Sequence, residues 1–343
     1  MVRISDIVNK TGYSRATVSS VLNERYSSLG ISEGTANKVR DAVRELGYVR
    51  NELSLSMKTG RSNYIGCIIS SIHGEWGGRI LEGALSKLKE TNYSIRLSSA
   101  WGFENEVEAL NHIIAGRVAG LFVSNINPEK EMVQKIHDFL AKYNIPVLSN
   151  NCIKGFSPAR IEADNYRAGA LAAEHLISLG HKKVAFIGGT NHPTSEERKK
   201  GFLDALKSAG IEVPSEWQQQ GNWKIDPTEE ATFELLSNKN SERPTAILAA
   251  NHFMAAAVIR KASLLGLSVP KDISVIGITD ESLCQITNPP MTTVALNESE
   301  IGSRAMELLV KMAENPELAK EEQCYLVEGR LIPRESTGIA PLS

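Results

Sequence analysis

The chain has 343 residues, 42% hydrophobic and 23% charged, which suits a soluble globular protein of two or three domains. No apolar run is long enough to span a membrane, and MVRISDIVNK lacks the apolar core of a signal peptide, so the sequence predicts a cytoplasmic protein. The net charge of −2 is uneven: residues 1–61 hold ten Lys/Arg against six Asp/Glu, a surplus of four, leaving the remainder with a deficit of six. A basic head on an acidic body fits a polyanionic partner for the head alone, although charges that merely solvate the head fit equally well. The four cysteines, Cys67, Cys152, Cys284 and Cys324, are far apart and form no CxxC or Cys/His cluster, so reduced thiols and no metal are expected.

Three short helices are predicted over residues 1–50. In the first, Ser5 is placed as N-cap, Ile4, Ile7 and Val8 form one apolar stripe, and Gly12 is the stop. Ser14 caps the second, in which Val18, Val21 and Leu22 share a face. Ser32 caps the third, Glu33 sits favourably in its first turn, Val39, Ala42, Val43 and Leu46 form its stripe, and Gly47 ends it. Only Thr11-Gly12-Tyr13 separates the first two helices, the pattern of a helix-turn-helix whose apolar faces a third helix covers. The second helix would enter a DNA major groove by its N-terminal end, with Arg15, Ala16, Ser19 and Ser20 facing outward. Arg15 can reach guanine O6 and N7 with two hydrogen bonds, and Ala16 can touch a thymine methyl. An ordinary three-helix bundle satisfies the same spacing.

SDIVNKTGYSRATVSSVLN, followed by ISEGTANKVRDAVRELGYVRN, resembles the DNA-binding head of the LacI/GalR (lactose-repressor) family. That family's pattern, D-[IV]-A-x-x-A-G-V-S-x-x-T-V-S-x-V-[IL]-N and then a helix ending L-G-Y-x-x-N, is matched at Asp6, Ile7, Gly12, Ser14, Thr17, Val18, Ser19, Val21, Asn23, Leu46, Gly47, Tyr48 and Asn51. The resemblance implies sequence-specific binding to double-stranded DNA through Ser5, Ser14, Arg15, Ala16, Thr17, Ser19, Ser20, Asn23, Tyr48, Asn51, Met57 and Lys58. Two departures stand out: the loop Glu24–Ile31 is about three residues longer than usual, and Ser20 occupies a position where many members carry Arg or His. Both point to an operator unlike that of better-known relatives.

Residues 51–62 read as a hinge. The segment 51–58 can form a little over two helical turns, marginal in water by itself, and 59–62 is linker. The resemblance implies that this helix orders only on DNA and pairs across a dimer axis. Met57, where Leu is common, would wedge into the minor groove. A flexible tether with an incidental methionine is the alternative.

Beyond the hinge, strand-like runs at 65–69, 95–97, 121–123 and 146–148, then at 184–187, 246–249 and 273–276, alternate with amphipathic stretches. The helical stretches lie near 79–91, 106–116, 130–142, 166–179, 197–209, 229–238, 252–265 and 298–314. Such alternation means parallel sheets covered on both faces, and two groups mean two similar lobes with a ligand site between them. The fold class is thus α/β, with an all-α head. The resemblance continues here through ADNYRAGALAAEHLISLGHKKVAFIGG, Arg198-Lys-Lys-Gly-Phe202, ISVIGITD and PPMTTV, and implies a two-lobed, type I periplasmic-binding-protein-like sensor over 63–343. Lobe one would comprise about 63–160 and 292–321, and lobe two about 161–291 and 322–338.

Carried over residue by residue, the resemblance implies an effector pocket of Trp76, Asn150, Arg198, Trp223, Asn251, Phe253 and Asp280. Arg can clamp a hydroxyl pair or a carboxylate, and Trp offers a flat face to a sugar or base. A core-packing role for Trp76 and Trp223, or a surface role for Arg198, stays open. Asn251-His252 stands where the family has Asn-Asp, Ile278-Thr279 where it has an aromatic and Asp, and Asn150 at a common Asp position. These changes remove acidic hydroxyl-binding groups, which makes a plain neutral monosaccharide a weaker expectation.

The implied function is a transcriptional regulator, most simply a repressor, whose operator affinity a sugar or related metabolite controls. A homodimer on a near-palindromic site is expected, because the sequence ends without a terminal heptad helix that would build a tetramer. A solute-binding protein is the alternative from another class, and the missing leader and the attached head argue against it. A sugar-processing enzyme is the other. No P-loop, G-x-S-x-G, H-E-x-x-H or dinucleotide fingerprint supports catalysis, so no catalytic residue and no cofactor are predicted.

Overall fold

The computed structural model describes residues 2–49, 62–69, 74–99, 103–124, 141–142, 145–150, 159–190, 192–237, 243–315, 317–318 and 323–341. The chain divides into two compact units, residues 1–62 and 63–343.

The first unit is a three-helix head: α1 (Ile4–Thr11), α2 (Arg15–Leu22) and α3 (Glu33–Leu46). Ile7, Val18, Val21, Ala36, Val39 and Ala42 form its buried core. Ser14 and Ser32 cap α2 and α3 by accepting from Thr17 N at 3.1 Å and Thr35 N at 3.2 Å. Such caps are each worth about 1 kcal/mol. Gly12 and Gly47 adopt the left-handed backbone that ends α1 and α3. Ser5 is not the first cap. α1 starts at Ile4, and Arg3 takes the cap position because Asp6 Oδ2 accepts from its backbone N at 2.8 Å.

Among the described residues, the second unit holds two six-stranded sheets. Lobe one orders its strands β11-β5-β4-β3-β1-β2, all parallel: β1 (Tyr64–Ile69), β2 (Ser94–Ser99), β3 (Gly120–Ser124), β4 (Val147–Ser149), β5 (Ala159–Ala163) and β11 (Gln323–Val327). Lobe two orders them β12-β10-β9-β8-β6-β7: β6 (Val184–Gly188), β7 (Gln218–Gln220), β8 (Ala246–Ala249), β9 (Ser274–Ile278), β10 (Thr292–Ala295) and β12 (Arg330–Ile332), the last antiparallel. The central strands are buried along their whole length, as strands covered on both faces must be. Among the described residues, the helices that cover them are α4 (Glu75–Leu88), α5 (Phe103–Ala115), α6 (Asn165–Ser178), α7 (Pro193–Ser208), α8 (Ile225–Leu236), α9 (His252–Leu264), α10 (Ser282–Ile286) and α11 (Glu298–Glu314).

Two strands, β10 and β11, change lobes relative to the sequence-based division, and β5, which straddled its boundary, falls wholly in lobe one. β5 and β11 pair with each other in lobe one, and β10 pairs with β9 in lobe two. The chain therefore crosses near residues 164, 296 and 328, rather than at 160, 291 and 321. The crossings are tied together: Asp164 N donates to Val327 O at 2.9 Å, and Asn297 Nδ2 donates to Glu328 O at 2.6 Å. The helix expected over 130–142 falls mostly outside the described residues, as do Asn51, Met57, Lys58 and the rest of 51–61.

Candidate functional site

A cavity of about 460 Å³ opens between the lobes. Its walls are the segments that follow β4 through β10 and the start of α4, so it lies at the carboxyl ends of both sheets. Trp76, Asn150, Arg198, Trp223, Asn251 and Phe253 all line it. Asp280, expected among them, does not. Its carboxylate is taken by Arg334 at 2.6 and 3.0 Å and by the Thr293 hydroxyl at 2.8 Å, after Thr279 turns the backbone with a φ of 77°.

Arg198 is the buried cation of this cavity, 5% exposed. It sits on the second turn of α7, which begins at Pro193 rather than near 197 because proline suits the first helical position. α6 and α7 cross almost in backbone contact: a Cβ at Gly201 would lie 1.9 Å from Tyr166 O, and one at Gly169 2.0 Å from Arg198 O. The crossing brings Asn165, the first residue of α6, beside the guanidinium. Arg198 Nε donates to Asn165 Oδ1 at 2.9 Å, and Nη1 donates to Ala250 O at 2.6 Å. Among the described residues, no carboxylate lies within ion-pair distance of it. Burial pulls the Arg198 pKa down to about 10, partly offset by Glu197 and Glu298, so the group stays charged at neutral pH. Its remaining donors are available to a polar or anionic group in the cavity.

Trp223 forms an aromatic wall from lobe two. It has a φ of 60°, and its indole lies where a Cβ at Gly189 would sit, 1.8 Å away, so only glycine admits it. His192 meets it edge-on at 6.0 Å, and burial keeps that imidazole's pKa low. Trp76 is the matching aromatic of lobe one. Asn251 caps α9 by accepting from Met254 N at 2.8 Å. The neighbouring His252 packs its ring, tilted by 41°, against Phe253 at 4.2 Å between centroids and brings Nε2 to 3.2 Å from Glu281 Oε2, outside hydrogen-bond geometry.

The cavity also contains residues that sequence reasoning missed: Asn165, His192, Thr194, His252, Thr279 and Glu281. Some signals were present. Asn165 lies inside the ADNYRAG stretch, and His252 and Thr279 stand at departures from the family pattern. Glu281 carried none.

In the head, Ser5, Ser14, Arg15, Ala16 and Asn23 are exposed, and Thr17, Ser19, Ser20 and Tyr48 are half-buried. Several have local duties: Ser14 and Thr17 hydroxyls bond at 2.9 Å, and Asn23 Nδ2 donates to Ser19 O at 2.6 Å. The longer loop is an ordered clasp. The Tyr26 ring carries the Arg40 guanidinium at 4.9 Å, and Arg40 pairs with Glu24 at 3.1 Å and Glu33 at 2.9 Å. Lys10 pairs with Glu45 and Arg44 with Asp41, whereas Arg15 makes no ion pair among the described residues and stands at the start of α2.

Residues 3–51 match the family described as bacterial regulatory proteins, lacI family, and residues 173–337 match the periplasmic binding protein-like domain. The HTH-type transcriptional repressor PurR of Vibrio vulnificus (strain CMCP6) is 28% identical over 344 residues, covering 98% of this chain and 98% of its own. PurR of Klebsiella pneumoniae (strain 342) is 28% identical over 347 residues, covering 99% and 98%. Among solved structures, the lac repressor dimer bound to operator and the anti-inducer ONPF superposes with a TM-score of 0.80 at 25% identity, covering 98% of this chain and 99% of that one. The transcriptional regulator CelR–cellobiose complex gives 0.70 at 24% identity, covering 98% and 100%.

Proposed function

We propose that this chain is a LacI-family regulator, a homodimeric repressor whose cavity between the lobes binds the effector that sets operator affinity. The observation that carries this reading is Arg198: a charged, buried side chain without a carboxylate partner among the described residues, on the wall of a cavity that two lobes share. A helix-turn-helix whose exposed Arg15 stands at the start of α2, with no ion pair among the described residues, supports the DNA half of this reading.

Ser14, Arg15, Ala16, Thr17, Ser19, Ser20 and Asn23 would meet the major groove, with Ser5, Tyr48 and Asn51 nearby. Met57 and Lys58 would meet the minor groove and backbone from a hinge over 51–62. Trp76, Asn150, Arg198, Trp223, Asn251 and Phe253 would hold a sugar or related metabolite. A dimer implies a near-palindromic operator, and the protein would work in the cytoplasm without catalysing a reaction. Among the described residues, no helix is long and apolar enough to cross a membrane. Effector binding would shift the dimer between states that differ in their fit to the operator.

The test has two stages. A thermal-shift screen of sugars, sugar acids and nucleobases finds the ligand, since a ligand at a hundred times its Kd adds about 2.7 kcal/mol of stability. Labelled-operator titrations then follow with two variants. Arg15→Ala is expected to lose about 1–3 kcal/mol of specific DNA binding while keeping ligand binding. Arg198→Ala is expected to keep DNA binding and lose the response to ligand. Turnover of the ligand would point to an enzyme, and ligand binding without operator binding to a solute-binding protein.

A further inference from the structure

The lobes exchange hydrogen bonds beside the cavity. Glu75 and Trp76 open α4 in lobe one; Glu281 and Ser282 adjoin the start of α10 in lobe two. Glu75 Oε1 accepts from Ser282 N at 3.0 Å, and Glu281 Oε1 accepts from Trp76 N at 3.1 Å. The exchange is reciprocal: each lobe's carboxylate takes a backbone N–H that the other lobe's first helical turn leaves unpaired. Arg79 adds a third bond by donating Nη1 to Asp280 O at 2.6 Å, while its Nη2 holds Glu75 at 2.9 Å. Asp280 is clamped by Arg334, so the lobe-two side of the contact is anchored. Hydrogen bonding from Ser282 keeps the Glu75 carboxyl below its usual pKa, in keeping with an ionised acceptor.

We propose that Glu75 and Glu281 form a reciprocal latch between the lobes, and that Glu75, which does not line the cavity, governs how far the lobes stay closed over it. The proposal rests on the cavity being the effector site only for its consequence. A ligand that touches Trp76 on one lobe and Arg198 on the other binds the closed form, so its apparent affinity scales with the closed fraction. Glu75 is then a positioning residue, and Trp76 and Glu281, which line the cavity, connect the latch to whatever fills it.

The test uses the full-length protein without ligand, so the latch is judged independently of what the cavity binds. Amide hydrogen exchange is followed by mass spectrometry in peptides covering 74–79 and 280–285, for the parent, Glu75→Gln and the control Glu82→Gln. The decisive amide is Trp76, which Glu281 holds and Glu75 does not. A cooperative latch makes Glu75→Gln speed exchange at both Trp76 and Ser282 by about tenfold, as expected for losing a charge-assisted bond. Acrylamide, used as a probe small enough to enter the cavity, should quench tryptophan fluorescence more strongly in that variant. Glu82→Gln should change neither. Faster exchange confined to Ser282 would make Glu75 a local cap and overturn the proposal, as would no change at either amide. If Glu75→Gln lowers the melting temperature, Arg79→Gln is read by the same two peptides, with the same expectation and the same overturning outcomes.

Discussion

Lobes one and two are built on the same plan and furnish the cavity differently. Each has a six-stranded sheet, parallel except for β12, and a pair of helices that cross at glycines: α4 with α11 through Gly83 and Gly302 in lobe one, α6 with α7 through Gly169 and Gly201 in lobe two. Lobe one offers the cavity Gly74, Trp76, Gly77, Asn150 and Ala163, a mostly apolar wall. Lobe two offers Arg198, His192, Thr194, Trp223, Asn251 and the His252–Glu281 pair. Equal scaffolds thus carry unequal chemistry. Lobe two holds the Arg198 guanidinium through its own Asn165 and Ala250, and lobe one supplies the facing wall of the cavity.

The sharpest way to break this comparison is at the crossings. Gly201→Val in lobe two and Gly302→Val in lobe one each put a Cβ about 1.9 Å from a backbone oxygen of the partner helix. Each is expected to destabilise the protein by about 3–5 kcal/mol in urea unfolding. If the scaffolds are equivalent, the two losses agree. A loss under about 1 kcal/mol for either would show that its helix pair can slide apart and that the likeness is superficial.

Smaller effects should separate the lobes. Arg198→Ala removes a charge-assisted contact from lobe two and is expected to weaken the screened ligand by about 1.5–3 kcal/mol in calorimetry. Trp76→Ala removes a stacking face from lobe one and is expected to weaken it by about 1 kcal/mol. A larger loss for Trp76→Ala than for Arg198→Ala would overturn the ranking of lobe two's charged wall above lobe one's apolar wall.

The smallest effect is a pH dependence carried by two histidines of lobe two. His181 links Thr245 at 2.9 Å and Gly338 O at 3.0 Å, and His175 links Thr337 at 2.8 Å, tying the C-terminal segment to the lobe. Burial lowers both pKa values below 6.5. The unfolded chain therefore takes up these protons first, so their contribution is complete above about pH 6.5 and declines as pH falls below it. Burial raises the carboxyls Glu162 and Glu298 in lobe one, and these change stability in the opposite sense. The measurement is thus a difference: His181→Gln should show a shallower loss of unfolding free energy than the parent between pH 6.5 and 5. Identical slopes would mean that His181 does not report on folding.

Much of this molecule is legible along the chain because the relevant physics is local. Ser14, Ser32, Gly12 and Gly47 act within one helical turn, and they stop and start helices where their side chains or their left-handed backbone say they should. The buried runs of β1, β6 and β9 and the stripe of α11 identify core faces by periodicity, and α11 spans the predicted 298–314. Arg198, Trp223 and Asn251 were named through the family resemblance, and each follows a strand's carboxyl end on the cavity wall. What the sequence by itself could not determine is which sheet each late strand joins, since register between β5 and β11 or β9 and β10 exists only after both lobes pack. Nor could it determine where Asp280 turns or which carboxylate meets which amide. The Trp76–Glu281 and Glu75–Ser282 bonds join residues 205 and 207 positions apart, and no local signal survives over that distance. Those contacts were decided by tertiary structure alone, because only the approach of two independently packed lobes brings one helix start within hydrogen-bond reach of another.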